Sequence, residues 1–479
     1  MRIAILGDIQ ANLPALEAVL DHAHKQGVEA IWNLGDFVGY GPFPDQVVRR
    51  MREEGAISVI GGDDLKTLEI KKKQKKWRHK KTLDEFLAYQ WAYQNLSKPS
   101  RKYLKKLSKK AWLRIGELDI LLTHGSPASI KDGLTSDTPD KRLAKLASSA
   151  GADVFVCGYS HQPFSRQVKK TLFINPGSVG LSSDGDPRAC YAILELDPVL
   201  MQVGIEPDLD LCVHHHRVDY DLEKAIDEIR QRELPEAYAQ MLLQGCPLEQ
   251  VKRHPEAWQV PEPEEGDSSW LDVPLLKQLT RNGGDDDRVL SAVRKLSEVY
   301  TYSVDHIQHT TDLVLTLFDE LAPLHRLGPR ERFWLRCAAL LHDIGKPQGN
   351  KGHHKTARDI ILETPHLPFE APERKIIASI ARYHRRAWPK DKHDLFSSLS
   401  PVHQRAVILL ASILRVGDGL DSPHRGNVES LSCRFSPDEI TIKCMVKKKA
   451  KKERKRALQK GKLLEFAFER KLFIQWHRA

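Results

Sequence analysis

The chain is poor in cysteine, and its cysteines form no pattern. Seven occur in 479 residues, at positions 157, 190, 212, 246, 337, 433 and 444, and no two make a CxxC pair. An odd, dispersed set reads as reduced thiols and excludes a disulfide framework or a cysteine zinc knuckle. Long hydrophobic runs are also missing: none approaches the roughly 18 apolar residues of a membrane span. The opening MRIAILGDIQ reads at once as a strand, without the regions of a cleavable leader, so the expected location is cytoplasmic. There is no fixed-period repeat and no nucleic-acid-binding motif. What is present is globular composition, 41% hydrophobic and 29% charged. The length calls for two or three domains.

Charge is unbalanced, at +10 with a pI of about 9.1. The excess is clustered in KKKQKKWRHKK (71–81), KKLSKK (105–110) and KKKAKKERKRALQKGK (447–462). Such clusters favour polyanions, so the expected partners are a phosphorylated small molecule, polyphosphate or nucleic acid, with no membrane. A solvated basic face explains the clusters about as well. Oligomeric state is not legible.

Strand and helix signals alternate over the first 200 residues, as in a layered α/β sheet. A helical, Lys-rich cap interrupts them at about 65–112. A helical tail follows, and then a stretch rich in Pro, Glu, Gly and Ser. The expected layout is an N-terminal domain at 1–250, a linker at 251–286, a helical domain at 287–425 and a basic α+β lobe at 426–479. The run His214–His216 offers at most two imidazoles on one strand face, and no acidic or Cys partner lies nearby in sequence.

The most informative stretch is AALLHDIGK (338–346). His342 and Asp343 stand together at the end of an apolar helical run, an unusual place for an ionisable pair unless a cation meets it. His306 or His309 upstream and Asp418 downstream lie on other amphipathic segments. Two imidazoles and two carboxylates suit a hydrolytic transition metal or magnesium, with Mn, Mg, Fe, Ni and Zn all open. Lys346, one turn past His342, is placed to hold a phosphate. Arg382, Arg385 and Arg386 could clamp phosphate oxygens. His353 or His354, together with His384, could complete a second metal or move a proton.

In its order H…HD…D, this set resembles the HD-domain metal-dependent phosphohydrolases. The words LLHDIGK, GHHKTA, IASIARYHRR and ILRVGDGLD, followed by a β-rich tail, are similar to the C-terminal half of the exopolyphosphatase/guanosine pentaphosphatase family. The likeness to that family word favours His306 over His309. That family cleaves phosphate in a different, N-terminal domain, which this chain does not show. The resemblance implies an all-α HD-type domain with a small α+β lobe and a metal pocket of His306, His342, Asp343 and Asp418.

The N-terminal words GDIQAN, GDFVGYGP, GGDDLKT, LLTHGSP, CGYSHQP and INPGSVG end apolar strands in polar loops, where α/β proteins place ligands. They resemble the calcineurin-like metallophosphoesterases of the small bacterial phosphodiesterase branch. That implies a layered β-sandwich flanked by helices and a two-metal centre. Matched to the family pattern, Asp8, the bridging Asp36, His124 and His161 are retained. Gln10 stands in place of a metal-binding His, Gly62 in place of an Asn ligand, Asp63 in place of the His acid and Tyr159 in place of the first His of G-H-x-H. The expectation is impaired dinuclear chemistry, with Gln10 lending an oxygen, Asp63 a doubtful acid and Ser178 a weak phosphate contact. The whole chain then reads as a metal-dependent hydrolase of a phosphoanhydride or phosphodiester, acting at the C-terminal pocket on a nucleotide, alarmone or polyphosphate. The alternatives are a non-catalytic polyanion-binding regulator, or a phosphodiesterase using an altered one-metal N-terminal site.

Overall fold

A computed structural model describes residues 1–77, 82–196, 211–253, 283–300, 303–348, 352–365, 367–448 and 451–478. Its contacts divide the chain into two units, Met1–Trp77 with Glu85–Pro261, and Arg78–Asp84 with Glu262–Ala479.

Among the described residues the first unit holds ten strands: β1 (Arg2–Leu6), β2 (Ala30–Asn33), β3 (Ile57–Ser58), β4 (Lys110–Ile115), β5 (Leu118–Thr123), β6 (Val154–Val156), β7 (Phe164–Val168), β8 (Thr171–Asn175), β9 (Ala189–Glu195) and β10 (Cys212–Val218). They form two five-stranded sheets, ordered β10-β9-β1-β2-β3 and β4-β5-β6-β8-β7. In the first sheet, β1, β2 and β3 run parallel and β9 pairs antiparallel to β1. In the second, β5, β6 and β8 run parallel.

The two-residue period of a strand explains the layering. Ile3 and Ile5 point into a core shared with Ile120, Leu122, Val154 and Ile174 of the other sheet. Ala4 and Leu6 point the opposite way, against Leu16, Val19 and Leu20 of the helix Leu13–Lys25. Beyond the second sheet, Leu121, Phe155 and Phe173 cover Leu143 and Ala147 of the helix Asp140–Ala150. The order is therefore helix, sheet, sheet, helix. Strands apolar on both faces are what such a doubly covered sheet requires.

The Lys-rich insertion is three helices, Gly62–Trp77, Leu83–Asn95 and Lys98–Lys106, ending where β4 begins at Lys110. It starts a few residues earlier than the expected cap, because Gly62 already opens the first helix. Most of the expected linker, 254–282, lies outside the described residues. Its edges are helical, in Leu248–Arg253 and Gly283–Tyr300.

The second unit is built on the helices Val304–Glu320, Pro329–Leu341, His353–Glu363, Ala371–Tyr383 and Pro401–Leu420. Every residue from Ala406 to Leu420 is buried, so this last helix is the centre of the unit. Two glycines let it sit there. A Cβ on Gly417 would lie 2.3 Å from Val314 Cγ2, and one on Gly419 would lie 2.6 Å from Ala457 Cα. A small sheet, ordered β11 (Val428–Phe435), β12 (Glu439–Val446) and β13 (Lys471–Arg478), completes the unit. β12 and β13 are parallel, and the helices Lys451–Lys460 and Lys462–Phe468 make the crossover between them.

Two candidate metal centres

In the first unit, Asp8 follows β1, Asp36 follows β2, Asp63 follows β3, His124 follows β5 and His161 follows β6. All the retained ligands thus stand at carboxyl ends of strands. The loops there are strained. Asp8, Gln10, Asp36, Tyr159 and His161 have φ of 52°, 53°, 52°, 69° and 57°. Non-glycine residues avoid this left-handed region, and each one held there costs about 1–3 kcal/mol. Surrounding contacts enforce it. Asp64, fully buried, accepts from the backbone N–H groups of Asp36 (2.9 Å), Gly61 (3.0 Å) and Val38 (3.2 Å). A Cβ on Gly61 would lie 2.1 Å from Asp36 Oδ1, so only glycine fits behind that carboxylate.

Ligand atoms of Asp8, Asp36 and His124 lie within 4.8 Å of one another. His124 Nδ1 donates to the Leu34 carbonyl (2.9 Å), which turns Nε2 toward Asp36 Oδ2 at 3.2 Å. His161 repeats this arrangement. Its Nδ1 meets the Leu181 carbonyl (2.6 Å) and its Nε2 lies 3.2 Å from Asp8 Oδ1. His124 Nε2 and Asp8 Oδ1 are buried without a hydrogen-bond partner. Burial pulls the His124 imidazole down, but Asp36 outweighs it and lifts the ring to about 10.

Three expected roles change here. Gln10 points its amide nitrogen at Asp63 Oδ2 (3.3 Å) and Asp36 Oδ2 (3.5 Å), so it donates to carboxylates instead of lending an oxygen to a metal. Asp63 is engaged as an acceptor by Lys66 Nζ (2.6 Å), the Tyr89 hydroxyl (3.1 Å) and Gln10, which leaves it unsuited to act as an acid. The Ser178 hydroxyl donates to the Asp8 carbonyl (2.8 Å) and accepts from Leu181 N–H (2.9 Å). It braces the ligand loop. His215 bonds the Asn175 carbonyl and His216 stacks on Tyr191, so two of the three histidines in the run are engaged within the sheet.

In the second unit, the helix ends do the positioning. His342 caps Pro329–Leu341 and His384 caps Ala371–Tyr383. Each donates from Nδ1 to the carbonyl three residues back, Ala339 and Ala381, at 2.7 Å. His306 Nδ1 is held by Asp421 Oδ2 at 2.8 Å. In all three the outer nitrogen is fixed and Nε2 is left for the centre, the arrangement that orients metal-binding imidazoles. Nε2 of His306 and of His342 is buried without a partner.

Three overlapping groups result: His306, His342 and Asp418; His306, Asp343 and His424; and Asp343, His353 and His384. Asp343 joins them. Its Oδ2 lies 3.5 Å from His342 Nε2 and 3.8 Å from His306 Nε2, while its Oδ1 lies 3.2 Å from His353 Nε2 and 3.9 Å from His384 Nε2. His306 Nε2 is 4.0 Å from Asp418 Oδ1. Lys346 touches Asp343 and Lys460 touches Asp418. Burial holds the His342 and His384 imidazoles below their usual range, neutral and ready to ligate. Burial pushes the Asp418 carboxyl up, but Lys460 outweighs it and keeps the group ionised.

His354 lies outside these groups. Burial and Arg382 push its ring down to about 3, and His384 is likewise neutral, so neither can serve as an acid at neutral pH. Arg385 reaches His353 (3.3 Å). Arg382 is buried beside the Tyr383 ring with one guanidinium nitrogen unpartnered. His309 stands outside every group, which leaves His306 as the converging imidazole.

Sequence reasoning missed four residues at this centre. Asp421 and Arg415 sat inside the word ILRVGDGLD. Arg415 donates to the carbonyls of Tyr383 (2.6 Å), Arg386 and Ala387 (both 3.0 Å), pinning the loop that carries His384. His424 stacks on His306 at 3.6 Å between ring centroids. Lys460 comes from a charge run read only as a polyanion patch.

Comparisons with known proteins agree with this division. Residues 1–198 match the calcineurin-like phosphoesterase superfamily domain, and residues 290–465 match Ppx/GppA phosphatase domain III. An uncharacterised protein of Methanocaldococcus jannaschii is 29% identical over 265 residues, 51% of this chain and 98% of that protein. Phosphodiesterase YfcE of Escherichia coli is 24% identical over 227 residues, 43% of this chain and 100% of its own. A metallophosphoesterase structure from Sphaerobacter thermophilus is 30% identical, with a TM-score of 0.40, over 51% of this chain and 100% of its own. The chain thus carries a calcineurin-like metallophosphoesterase domain followed by a Ppx/GppA domain III, and by class it is a hydrolase of phosphoric esters or anhydrides. Among the described residues no helix is long and apolar enough to cross a membrane.

Proposed function

We propose that the chain is a metal-dependent phosphohydrolase whose working centre is the HD-type His/Asp cluster of the second unit, acting on a phosphoanhydride or phosphodiester. The observation that carries this reading is the convergence of two buried, partnerless Nε2 atoms, on His306 and His342, with the carboxylates of Asp343 and Asp418. Buried polar atoms without partners are costly, and a divalent ion satisfies all four residues at once.

His306, His342, Asp343 Oδ2 and Asp418 would hold one ion; Asp343 Oδ1, His353 and His384 would hold a second, with Asp343 between them. Bound there, divalent ions supply an activated water and offset charge on the phosphoryl oxygens. The chain's own residues do the rest. Asp421 holds His306 in the tautomer that aims Nε2 inward, and Arg415 fixes the loop bearing His384 and Arg385. Lys346 and Lys460 are the ammonium donors beside the carboxylates, placed to take phosphate oxygens once an ion relieves them of Asp343 and Asp418.

A substrate with several phosphates, such as a nucleotide, alarmone or polyphosphate, suits the basic lobe. Lys451, Lys452, Arg454, Lys455 and Arg456 are exposed on the helix that ends at Lys460. The N-terminal centre plays a lesser catalytic part, because its acid and three of its ligands are replaced. Turnover of bis-p-nitrophenyl phosphate with manganese tests the assignment. Asp343→Ala should abolish it and Asp36→Ala should leave most of it; the reverse result refutes the proposal.

A further inference from the structure

At the N-terminal centre a lysine and an amide gather on the side where an expected ligand is missing. Position 62 carries no side chain, although it faces the site: a Cβ built there would lie 3.7 Å from His124 Nε2, in open van der Waals contact. One helical turn later on the same face comes Lys66. Its Nζ is 2.6 Å from Asp63 Oδ1 and 3.2 Å from the Tyr89 hydroxyl. Asp63 is itself drawn to the centre, since its backbone N–H donates to Asp36 Oδ1 at 2.6 Å. Gln10 Nε2 spans the carboxylates of Asp36 and Asp63.

We propose that this centre holds a single divalent ion, on Asp8, Asp36, His124 and His161, and that the Lys66 ammonium with the Gln10 amide permanently replaces the second. The proposal rests on the reading of this half as a metal site of reduced capacity, and it adds the residues that reduce it. Three observations converge. The described ligand groups of the first unit reduce to the one set Asp8, Asp36 and His124. The carboxylate oxygens on the side of the missing ligand, Asp36 Oδ2 and both oxygens of Asp63, already have N–H or O–H donors. The oxygen without a donor, Asp8 Oδ1, faces Nε2 of the retained His161 imidazole at 3.2 Å.

The charge count fixes the ligand class. One divalent ion and one ammonium balance the three carboxylates of Asp8, Asp36 and Asp63, and the buried Asp64 beside Asp36 adds no positive charge, so the centre has no positive excess. A two-ion centre with two carboxylates would be strongly positive. A centre without positive excess discriminates against a dianionic phosphomonoester and accepts a phosphodiester monoanion. One ester oxygen would lie on the ion. Another would lie on the third N–H of Lys66, whose other two are directed at Asp63 and Tyr89.

The test counts ions in the full chain. A His342→Ala/Asp343→Ala background removes the C-terminal contribution, and Asp36→Asn supplies the N-terminal blank. Manganese bound above that blank should be one equivalent, with a mononuclear electron paramagnetic resonance spectrum. Gln10→His/Gly62→Asn should still bind one; adding Lys66→Met should bring a second and an exchange-coupled spectrum. Diethyl phosphate should bind the singly loaded protein at least as well as phenyl phosphate. Two ions in the parent would refute both this proposal and the reduced-capacity reading. One ion in the parent but two in Gln10→His/Gly62→Asn with Lys66 intact would refute the role of Lys66 alone. No ion above the blank, or a clear preference for phenyl phosphate, would overturn the assignment of one ion without positive excess.

Discussion

The two centres use the same residue types and treat their histidines in opposite ways. At the N-terminal centre the Lys66 ammonium is held on Asp63, while Asp36 faces the His124 ring and lifts it to about 10. At the C-terminal centre His342 and His384 share two carboxylates with Lys346 and Lys460, and burial keeps the rings below their usual range. The carboxylates of the first centre thus favour a charged ring, while the second holds neutral imidazoles with lysines against its acids. A metal entering the first must expel a proton; one entering the second must displace ammonium groups, which then become available to a phosphate.

The largest expected effect sharpens that contrast. Asp343→Ala removes the carboxylate shared by both C-terminal ion groups, and should lower kcat/KM by about a thousandfold or more, about 4 kcal/mol in transition-state terms. Asp36→Ala should change it by no more than a few-fold. Similar losses from both would erase the distinction. Next, Asp421→Asn should weaken C-terminal metal affinity by about 10- to 100-fold while leaving the four ligands in place, as read by competition with a chelating dye. An unchanged affinity would mean that His306 is oriented by something else.

Proton release gives a third comparison. Calorimetry near pH 8, in buffers of different ionisation enthalpy, should show about one proton released per ion at the N-terminal centre and close to none from His342 and His384. The same proton has a consequence for stability. Because His124 titrates higher in the folded state than in the unfolded chain, its contribution in metal-free protein is fully present below about pH 6.5 and lost as pH rises through about 10. A His124→Gln variant should flatten that stretch of the thermal-stability profile. Smaller again is packing. Gly417→Ala or Gly419→Ala should destabilise the second unit by about 1–3 kcal/mol, since each added methyl meets Val314 or Ala457; Gly27→Ala, with nothing within 4 Å, tests only its left-handed backbone.

Legibility differed between the two halves for physical reasons. Strand periodicity and polar strand ends were enough to read a layered α/β sheet, and the resemblance to the calcineurin-like family singled out Asp8, Asp36, His124 and His161 among the loops at its strand ends. The word LLHDIGK at a helix end marked His342 and Asp343. Tertiary contacts that no local pattern encodes were not legible. Lys66 lies four residues past an absent ligand, in a segment read as a cap. Gln10 was read as an oxygen donor because its amide can present either end, and only its neighbours Asp36 and Asp63 decide which. Lys460 belongs to a charge run whose composition suggests solvent, yet the close approach of Gly419 to Ala457 brings that helix against Asp418. His354 and His384 were natural candidates for an acid until burial and nearby basic groups, Arg382 at His354 and His342 with Lys460 at His384, lowered their rings.

The most direct measurement is anomalous scattering at the manganese edge from crystals of the full chain soaked in manganese. The account predicts an ion peak within coordination distance of His306 Nε2, His342 Nε2, Asp343 Oδ2 and Asp418, with Lys460 moved off Asp418. Manganese confined to the Asp8–Asp36 loops, with those four side chains unchanged, would contradict it.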